Sequence, residues 1–152
     1  MQRRYSIRRA RPADLARILE IERASFGRDA YDRKLFADFL VRCGELFLLA
    51  ERPGKICGYS ITCIRGAGKE ARAELVSIAV DPRLRLAGAA TALLESTFRR
   101  LRRRRVALLA LMVRQSNRRA RAFYAKHGFT RVRIVRGYYE DGADGILMKR
   151  QV

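Results

Sequence analysis

The first candidate for chemistry is a short basic loop that joins an apolar stretch to a helix. The stretch runs Glu74-Leu75-Val76-Ser77-Ile78-Ala79-Val80-Asp81-Pro82, and Arg85-Leu86-Ala87-Gly88-Ala89-Ala90 follows it closely. Backbone N–H groups at the start of a helix lack intrahelical partners, and the helix dipole favours negative charge beside them. Because Gly88 has no side chain, the oxygens of an anion can approach its backbone. Two interpretations follow: a site for a phosphate or pyrophosphate group, or a tight turn from strand to helix.

A second candidate lies at Asn117, which follows another apolar stretch, residues 106–113. Either Ser116 or Asn117 can cap the helix that begins there. Three residues recur on one face of this helix: Ala120, Phe123 and Tyr124. Gly88 and Asn117 thus both follow the ends of strands, where ligands of mixed α/β sheets bind. The sequence predicts that both border one crevice.

The elements that position these residues can be predicted from periodicity and turn signals. The predicted strands are residues 6–9, 45–50, 56–64, 73–80, 106–113, 129–135 and 145–148. Predicted helices begin near Pro12, Asp32, Gly88 and Asn117. Residues 73–80 are mostly apolar, which indicates a central strand. A hairpin run followed by β-α-β units implies an α/β (α+β mixed) fold with helices on both faces of a mixed sheet.

The first two helices carry two features of interest. Glu22 falls on or beside an apolar stripe formed by Leu15, Ile18 and Leu19. It is either a polar group that faces a cleft or an edge residue whose carboxylate reaches solvent, and we favour the edge residue. The segment between the helices can line a substrate entrance, since loops on a rigid scaffold often carry specificity. Tyr31, at the end of that segment, is a candidate substrate-binding residue.

Composition narrows the class of protein. The 152 residues suit a single domain over residues 1–152, and 49% hydrophobic content excludes a disordered chain. No apolar run is long enough to cross a membrane, and no signal-peptide core follows the basic N-terminus. We therefore expect a cytoplasmic protein that does not bind membranes.

The cysteines and the histidine give little sign of a metal site. Cys43, Cys57 and Cys63 match no zinc or redox spacing, so we expect reduced thiols in the core. His127 is the single histidine, too few for a histidine-based metal site, and we expect no metal.

The net charge of +19 is the unusual feature of the composition. A field this positive attracts anionic partners and raises their encounter rate. RNA, ribosomal surfaces, acidic proteins and a phosphorylated cosubstrate all fit. The alternative is arginine placed on solvated faces without a binding role, and charge alone does not specify function.

Three blocks of the sequence form a recognisable set. They are Ile78-Ala79-Val80-Asp81-Pro82 with Arg85-x-x-Gly88-x-Ala90, then Val113-Arg114-Gln115-Ser116-Asn117-x-x-Ala120-x-x-Phe123-Tyr124-x-x-x-Gly128-Phe129, then Tyr138-Tyr139-Glu140-Asp141-Gly142-Ala143-Asp144. Taken together, these blocks resemble the GNAT superfamily of acetyl-CoA-dependent N-acetyltransferases, and most of all its RimI-type and related protein N-terminal acetyltransferases. The resemblance covers nearly the whole chain. It implies a single GNAT domain, with a central mixed, largely antiparallel sheet of six to seven strands flanked by about four helices.

The resemblance also implies a role for each matched residue, with acetyl-CoA as cosubstrate. The backbone of Ile78, Ala79 and Val80 would bond the pantetheine arm, and Asn117 would contact it. The pyrophosphate would be wrapped by Arg85, Leu86, Ala87, Gly88, Ala89 and Ala90. Tyr124 would lie beside the thioester sulfur and protonate the leaving thiolate; by its spacing alone it would be an aromatic core residue.

The base of the reaction is where the sequence departs from the RimI-type pattern. An amine that attacks a thioester directly needs no enzyme nucleophile, but it must lose a proton. Met112 stands where those enzymes carry a glutamate base, and methionine cannot accept a proton. Glu74 is the best replacement, because it shares a strand face with Ile78 and matches the base of the histone-acetyltransferase branch; the alternative is an ion-paired strand-end glutamate. Tyr138 and Tyr139 are second candidates, or would bind the peptide backbone, and a water chain is the remaining alternative.

The function implied by the resemblance is acetyl transfer to a primary amine in a ternary complex. A protein or peptide N-terminal α-amine is the leading acceptor, and a lysine or small-molecule amine is the alternative. A catalytically weak GNAT domain that binds RNA, the ribosome or an acidic partner through its arginine surface is the rival. The sequence leaves a monomer and a homodimer equally open.

Overall fold

The computed structural model describes residues 5–84 and 88–152, and that part of the chain contains seven strands and four α-helices. The strands are β1 (Ser6–Arg9), β2 (Phe47–Arg52), β3 (Lys55–Arg65), β4 (Arg72–Val80), β5 (Leu108–Arg114), β6 (Thr130–Val135) and β7 (Gly145–Gln151). The helices are α1 (Leu15–Phe26), α2 (Arg33–Cys43), α3 (Ala89–Arg103) and α4 (Arg118–Lys126). The predicted elements are confirmed, apart from small shifts at their ends.

The strands lie in the order β1-β2-β3-β4-β5-β7-β6, so β4 is central as predicted. β4 and β5 are parallel, whereas β1 with β2, β2 with β3, β5 with β7 and β6 with β7 are antiparallel. The predicted mixed, largely antiparallel sheet is therefore confirmed. A side-chain hydrogen bond caps the start of α2. Asp32 accepts it from the N–H of Leu35 at 2.9 Å, which confirms Asp32 as the predicted N-cap.

The chain divides into two compact units, of which the first comprises Met1–Cys63 and Ser77–Arg100. One part of its core is aromatic, with Phe36 of α2 packed against Phe47 and Tyr59. Another part joins Leu48, Ala50 and Cys57 to Leu93 of α3. Alternate residues of β2 thus serve different parts of the core, as the period of a strand dictates.

The second unit comprises Ile64–Val76 and Leu101–Val152. Its strand β5 alternates in burial, with Leu109, Leu111 and Val113 inside. The first half of β4 pairs with β5 in this unit, Glu74 opposite Ala110. Most of β6 is exposed. Buried residues of β7 and Phe129 complete the apolar interior.

The expectation of three reduced thiols is wrong for two of them. Cys43, the last residue of α2, and Cys63 of β3 form a disulfide, with their Cα atoms 5.0 Å apart. That separation lies in the usual range for a disulfide, and the bond links the C-terminal end of α2 to β3. Cys57 is a free, buried thiol, as expected. Spacing along the chain could not reveal the pair, since 20 residues of helix and strand separate them.

Candidate active site

At the end of β4 the side chains pack against the core of the first unit. Ile78 and Val80 pack against the core cluster that contains Ala89 and Leu93 of α3. A Cβ atom at Gly58 would lie 2.8 Å from the carbonyl oxygen of Ala79, so glycine permits the close approach of β3. Because these side chains point into the core, a ligand here would meet the main chain of residues 78–80.

The loop after β4 is described in part. Arg85, Leu86 and Ala87, which the resemblance places around a pyrophosphate, lie outside the described residues. Gly88 has a φ of 92°, a left-handed conformation that favours glycine, and a Cβ atom there would meet nothing within 4 Å. The exposed Gly88 leads directly into α3, which begins at Ala89 with Ala90 next. The predicted junction of glycine and helix N-terminus is present.

A buried carboxylate holds the start of this loop. Asp81 is 3% exposed and accepts hydrogen bonds from the guanidinium groups of Arg83 at 3.0 Å and Arg17 at 2.8 Å. It also accepts from the backbone N–H of Arg83 at 3.0 Å. The Arg83 and Arg17 guanidinium groups hold the pKa of Asp81 well below its usual range. Arg17 also donates to the carbonyl of Ile56, so α1, β3 and the end of β4 are linked.

Tyr124 lies in the second unit, on α4, with its side chain partly exposed. Its ring packs edge-on against Phe129 and Phe123, at centroid distances of 5.6 and 5.5 Å. Burial, and to a lesser extent the neighbouring Tyr139, raises the pKa of Tyr124 above its ordinary value. The phenol is therefore protonated at neutral pH, as a hydrogen-bond donor to a thiolate must be.

Asn117, one of the two candidates for the cap of this helix, is the residue that caps α4. Its side-chain oxygen accepts a hydrogen bond from the N–H of Ala120 at 3.1 Å. That bond fixes the exposed side chain at the start of the helix and uses its oxygen, so the amide NH₂ is the group left for a ligand. Since Gly88 belongs to the first unit and Asn117 to the second, the shared crevice stays a prediction.

The Tyr138–Tyr139 loop is ordered by local contacts. The two rings pack edge-on at 4.9 Å, and the guanidinium of Arg114 lies 4.3 Å from the centre of the Tyr139 ring. Arg114 in turn pairs with Asp141 at 3.0 Å. Tyr138 is 48% exposed, so its ring is accessible to a partner.

Tyr31 belongs to the first unit and precedes α2. Its ring is 38% exposed and packs against Phe36 and Phe39, each at 6.1 Å. Its backbone N–H donates to the carboxylate of Glu22 at 2.9 Å. The favoured interpretation of Glu22 as a solvent-reaching edge residue is wrong, because this side chain is 1% exposed. Its place on the apolar stripe was the signal that could have shown this.

Glu74 lies in the second unit with its side chain 39% exposed. Its carboxylate accepts two hydrogen bonds from Arg65, at 2.9 and 3.1 Å. This contact is the one expected of an ion-paired strand-end glutamate, the alternative left open by the sequence. Met112 packs against β7, where a Cβ atom at Gly145 would lie 2.9 Å from its sulfur. The glycine thus makes room for the methionine.

The described residues form neither a metal site nor a membrane-spanning helix. Within residues 5–84 and 88–152, no group of three or more His, Cys, Asp or Glu side chains could hold a metal ion. No helix in this part of the chain is long and apolar enough to span a membrane.

Comparison with known proteins agrees with the fold. The model of the acetyltransferase (GNAT) family matches residues 14–129, and the chain belongs to that family of N-acetyltransferases, which use acetyl-CoA. An N-alpha-acetyltransferase of Saccharolobus solfataricus is 32% identical over 97% of this chain and 93% of its own length. The structure is similar to Ard1 from Thermoplasma volcanium, with a TM-score of 0.90, 26% identity and 97% of each chain covered. It is also similar to the ribosomal-protein-S18-alanine N-acetyltransferase from Escherichia coli, with a TM-score of 0.83, 33% identity and coverage of 97% and 94%.

Proposed function

We propose that this protein transfers the acetyl group of acetyl-CoA to the N-terminal α-amine of a protein or peptide. The observation that carries the proposal is the junction at Gly88, where a strand end with core-bound side chains turns through a left-handed glycine into α3. In an acetyltransferase this junction suits the pantetheine and pyrophosphate of acetyl-CoA. The relative from Saccharolobus solfataricus, named an N-alpha-acetyltransferase, supports the choice of acceptor.

The side chains suit direct transfer in a ternary complex. The backbone of residues 78–80 would hold the pantetheine arm, and Asn117 would donate to it through its amide. Tyr124 would donate its phenolic hydrogen to the sulfur as the C–S bond breaks. The exposed rings of Tyr31 and Tyr138 would contact the acceptor peptide, since tyrosine offers an apolar face and a polar tip.

A peptide-array acetylation assay tests the proposal. Peptides with free N-termini should become acetylated, whereas the same peptides with blocked N-termini and an internal lysine should not. Acetylation of the blocked peptides would show that lysine is the acceptor. Acetylation of a small-molecule amine alone would show that the acceptor is a small molecule. Calorimetry of acetyl-CoA with the protein should show binding in the micromolar range, and absence of binding would overturn the cosubstrate.

The binding-module alternative has one observation in its favour. Arginines 102–105 are all exposed at and just beyond the end of α3, and Arg131 and Arg133 are exposed on β6. Solvated faces often carry such residues without a ligand. RNA binding that falls steeply with salt, together with no transfer to any peptide, would favour this alternative.

A further inference from the structure

The first unit contains a buried carboxylate on α1. Glu22 of α1 is 1% exposed, and none of the lysines or arginines in the described part of the chain forms an ion pair with it. Burial of a carboxylate without a cation is costly. Both of its oxygens are used: one accepts from the hydroxyl of Tyr59 and the other from the N–H of Tyr31.

The hydrogen-bonded chain continues from Glu22 toward the surface. The Tyr59 hydroxyl lies 3.2 Å from the hydroxyl of Ser77. Because the single phenolic hydrogen of Tyr59 is donated to Glu22, Ser77 must be the donor in this second bond. Tyr59 is fully buried, whereas Ser77 is partly exposed. The hydrogen bonds therefore all run in one direction, from Ser77 at the partly exposed end to Glu22 at the buried end.

The outer end lies next to the proposed cofactor strand. Ser77 directly precedes Ile78, the first residue of the backbone that would hold the pantetheine arm. Glu22 also holds the N–H of Tyr31, whose ring is a proposed acceptor contact. One carboxylate thus connects the segment that would bind the acceptor with the strand that would bind acetyl-CoA, and all four residues belong to the first unit.

We propose that Glu22 is the terminal proton acceptor of the acetyl transfer, reached through Ser77 and Tyr59. The inference rests on the proposed function. An N–H bond of the acceptor ammonium breaks and its proton joins the Ser77 oxygen, while the Ser77 proton passes to Tyr59 and the Tyr59 proton to Glu22. Glu22 becomes a neutral acid and the amine becomes neutral. The freed electron pair then forms the C–N bond, and the C–S bond breaks. The thiolate takes a proton from Tyr124, and the second N–H proton of the attacking nitrogen passes to the Tyr124 oxygen, which leaves a neutral amide and a neutral phenol.

The electrostatics of the site agree with this direction of transfer. Burial raises the pKa of Glu22 above that of an ordinary glutamate, although hydrogen bonds from Tyr59 and Tyr31 lower it in part. A higher pKa brings the carboxylate closer to an α-amine, whose pKa is about 8. Burial, followed by the Glu22 carboxylate, raises the pKa of Tyr59, so its proton stays in place until one arrives from Ser77. The groups that face Glu22 are Tyr59 from β3 and Tyr31 from the segment before α2.

The pH dependence of turnover distinguishes this role from a structural one. Glu22→Gln and Tyr59→Phe should each lower kcat about tenfold or more near pH 6, as loss of general-base help does. The deficit should shrink toward pH 9, because the amine then loses its proton in solution. The matched control is Glu20→Gln, the same change on the exposed side of α1, where Glu20 pairs with Arg17; its profile should follow the wild type.

Three outcomes would overturn the proposal. They are an equal loss at every pH, a rise in peptide KM with kcat unchanged, or a pH-dependent deficit in Glu74→Gln in place of Glu22→Gln. If Glu22→Gln does not fold, Tyr59→Phe decides, because it leaves the contact between Glu22 and Tyr31 intact. Wild-type protein that acetylates no free α-amine would instead sink the proposed function.

A measurement without turnover tests Glu22 itself. In protein carrying ¹³C at its glutamate carboxyl carbons, the resonance that disappears in Glu22→Gln should titrate above the ordinary glutamate value of about 4.3. Its midpoint should also change in Tyr59→Phe, which removes the hydrogen bond. A midpoint at or below about 4.3 would exclude Glu22 as the acceptor.

Discussion

At the scale of single residues, Tyr124 is an acid whose surroundings keep it protonated. Its ring is held between Phe123 and Phe129. No group among the described residues forms a hydrogen bond with its hydroxyl, so a hydrogen bond to a leaving sulfur would displace no protein contact. The raised pKa makes early loss of the proton unfavourable. These features fit a donor that acts only when negative charge develops.

Tyr124→Phe should therefore lower kcat about 100-fold, as removal of a general acid does, while the Kd for acetyl-CoA changes less than about twofold. Steady-state kinetics and calorimetry measure the two effects. Thermal unfolding should be nearly unchanged, since only the hydroxyl is lost. Turnover equal to that of the wild type would remove Tyr124 from the mechanism.

At the scale of elements, the Arg17–Asp81–Arg83 cluster links α1 to the end of β4. Asp81 has a lowered pKa in the folded protein, so its contribution to stability is present above the unfolded pKa of about 3.9. The contribution is lost as the pH falls from about 3.9 toward the lower pKa that Asp81 has in the folded protein. Asp81→Asn should thus cost about 2 kcal/mol near pH 7, the size of hydrogen bonds to a charged group.

Urea unfolding of the wild type and of Asp81→Asn between pH 7 and pH 2 measures this difference. The two free energies of unfolding should converge as the pH falls below about 4. Asp38→Asn is the matched control, because Asp38 pairs with Arg42 on the exposed surface of α2, and its loss should change stability little. A difference between wild type and Asp81→Asn that stays constant with pH would contradict the account.

The disulfide is a second link between elements, from the end of α2 to β3. The two cysteines are 20 residues apart, and closing a loop of this size stabilises a protein by about 3 kcal/mol. Reductant should lower the free energy of unfolding by about this amount. The Cys43→Ser/Cys63→Ser variant should be insensitive to reductant, whereas Cys57→Ser should respond as the wild type does. Titration of three free thiols in unreduced, denatured protein would show that the disulfide does not form.

At the scale of the whole molecule, the net charge of +19 governs encounter with anionic ligands. Acetyl-CoA carries phosphate groups, so a positive field should raise its association rate. Screening shortens the range of that field from about 10 Å at 0.1 M salt to about 3 Å at 1 M.

Raising salt should consequently lower kcat/KM for acetyl-CoA severalfold while kcat stays nearly constant. Stopped-flow or steady-state kinetics over a range of sodium chloride concentrations measures both. The variant Arg102→Gln/Arg103→Gln, changed at exposed positions near the end of α3, should show a shallower dependence. A kcat/KM that is independent of salt would show that the charge has no part in cosubstrate encounter.

The sequence by itself determined the elements, apart from small shifts at their ends. The apolar stretch of β5, the apolar stripe of α1, the caps at Asp32 and at Ser116 or Asn117, and the glycine at position 88 are all local features. Each depends on residues within a turn or two of one another, which is why they could be predicted. The family followed from motifs that combine such local features in order.

Only the tertiary structure decided which distant side chains meet. The pairs that are far apart in the chain are Glu22 with Tyr59, Tyr59 with Ser77, Arg17 with Asp81, and Cys43 with Cys63. Their contacts depend on the register of the sheet and on the packing of α1 and α2, which no short window of sequence contains. Glu22 shows the difference: its position on an apolar stripe was visible, but its burial depends on a hydroxyl and an N–H supplied by other elements.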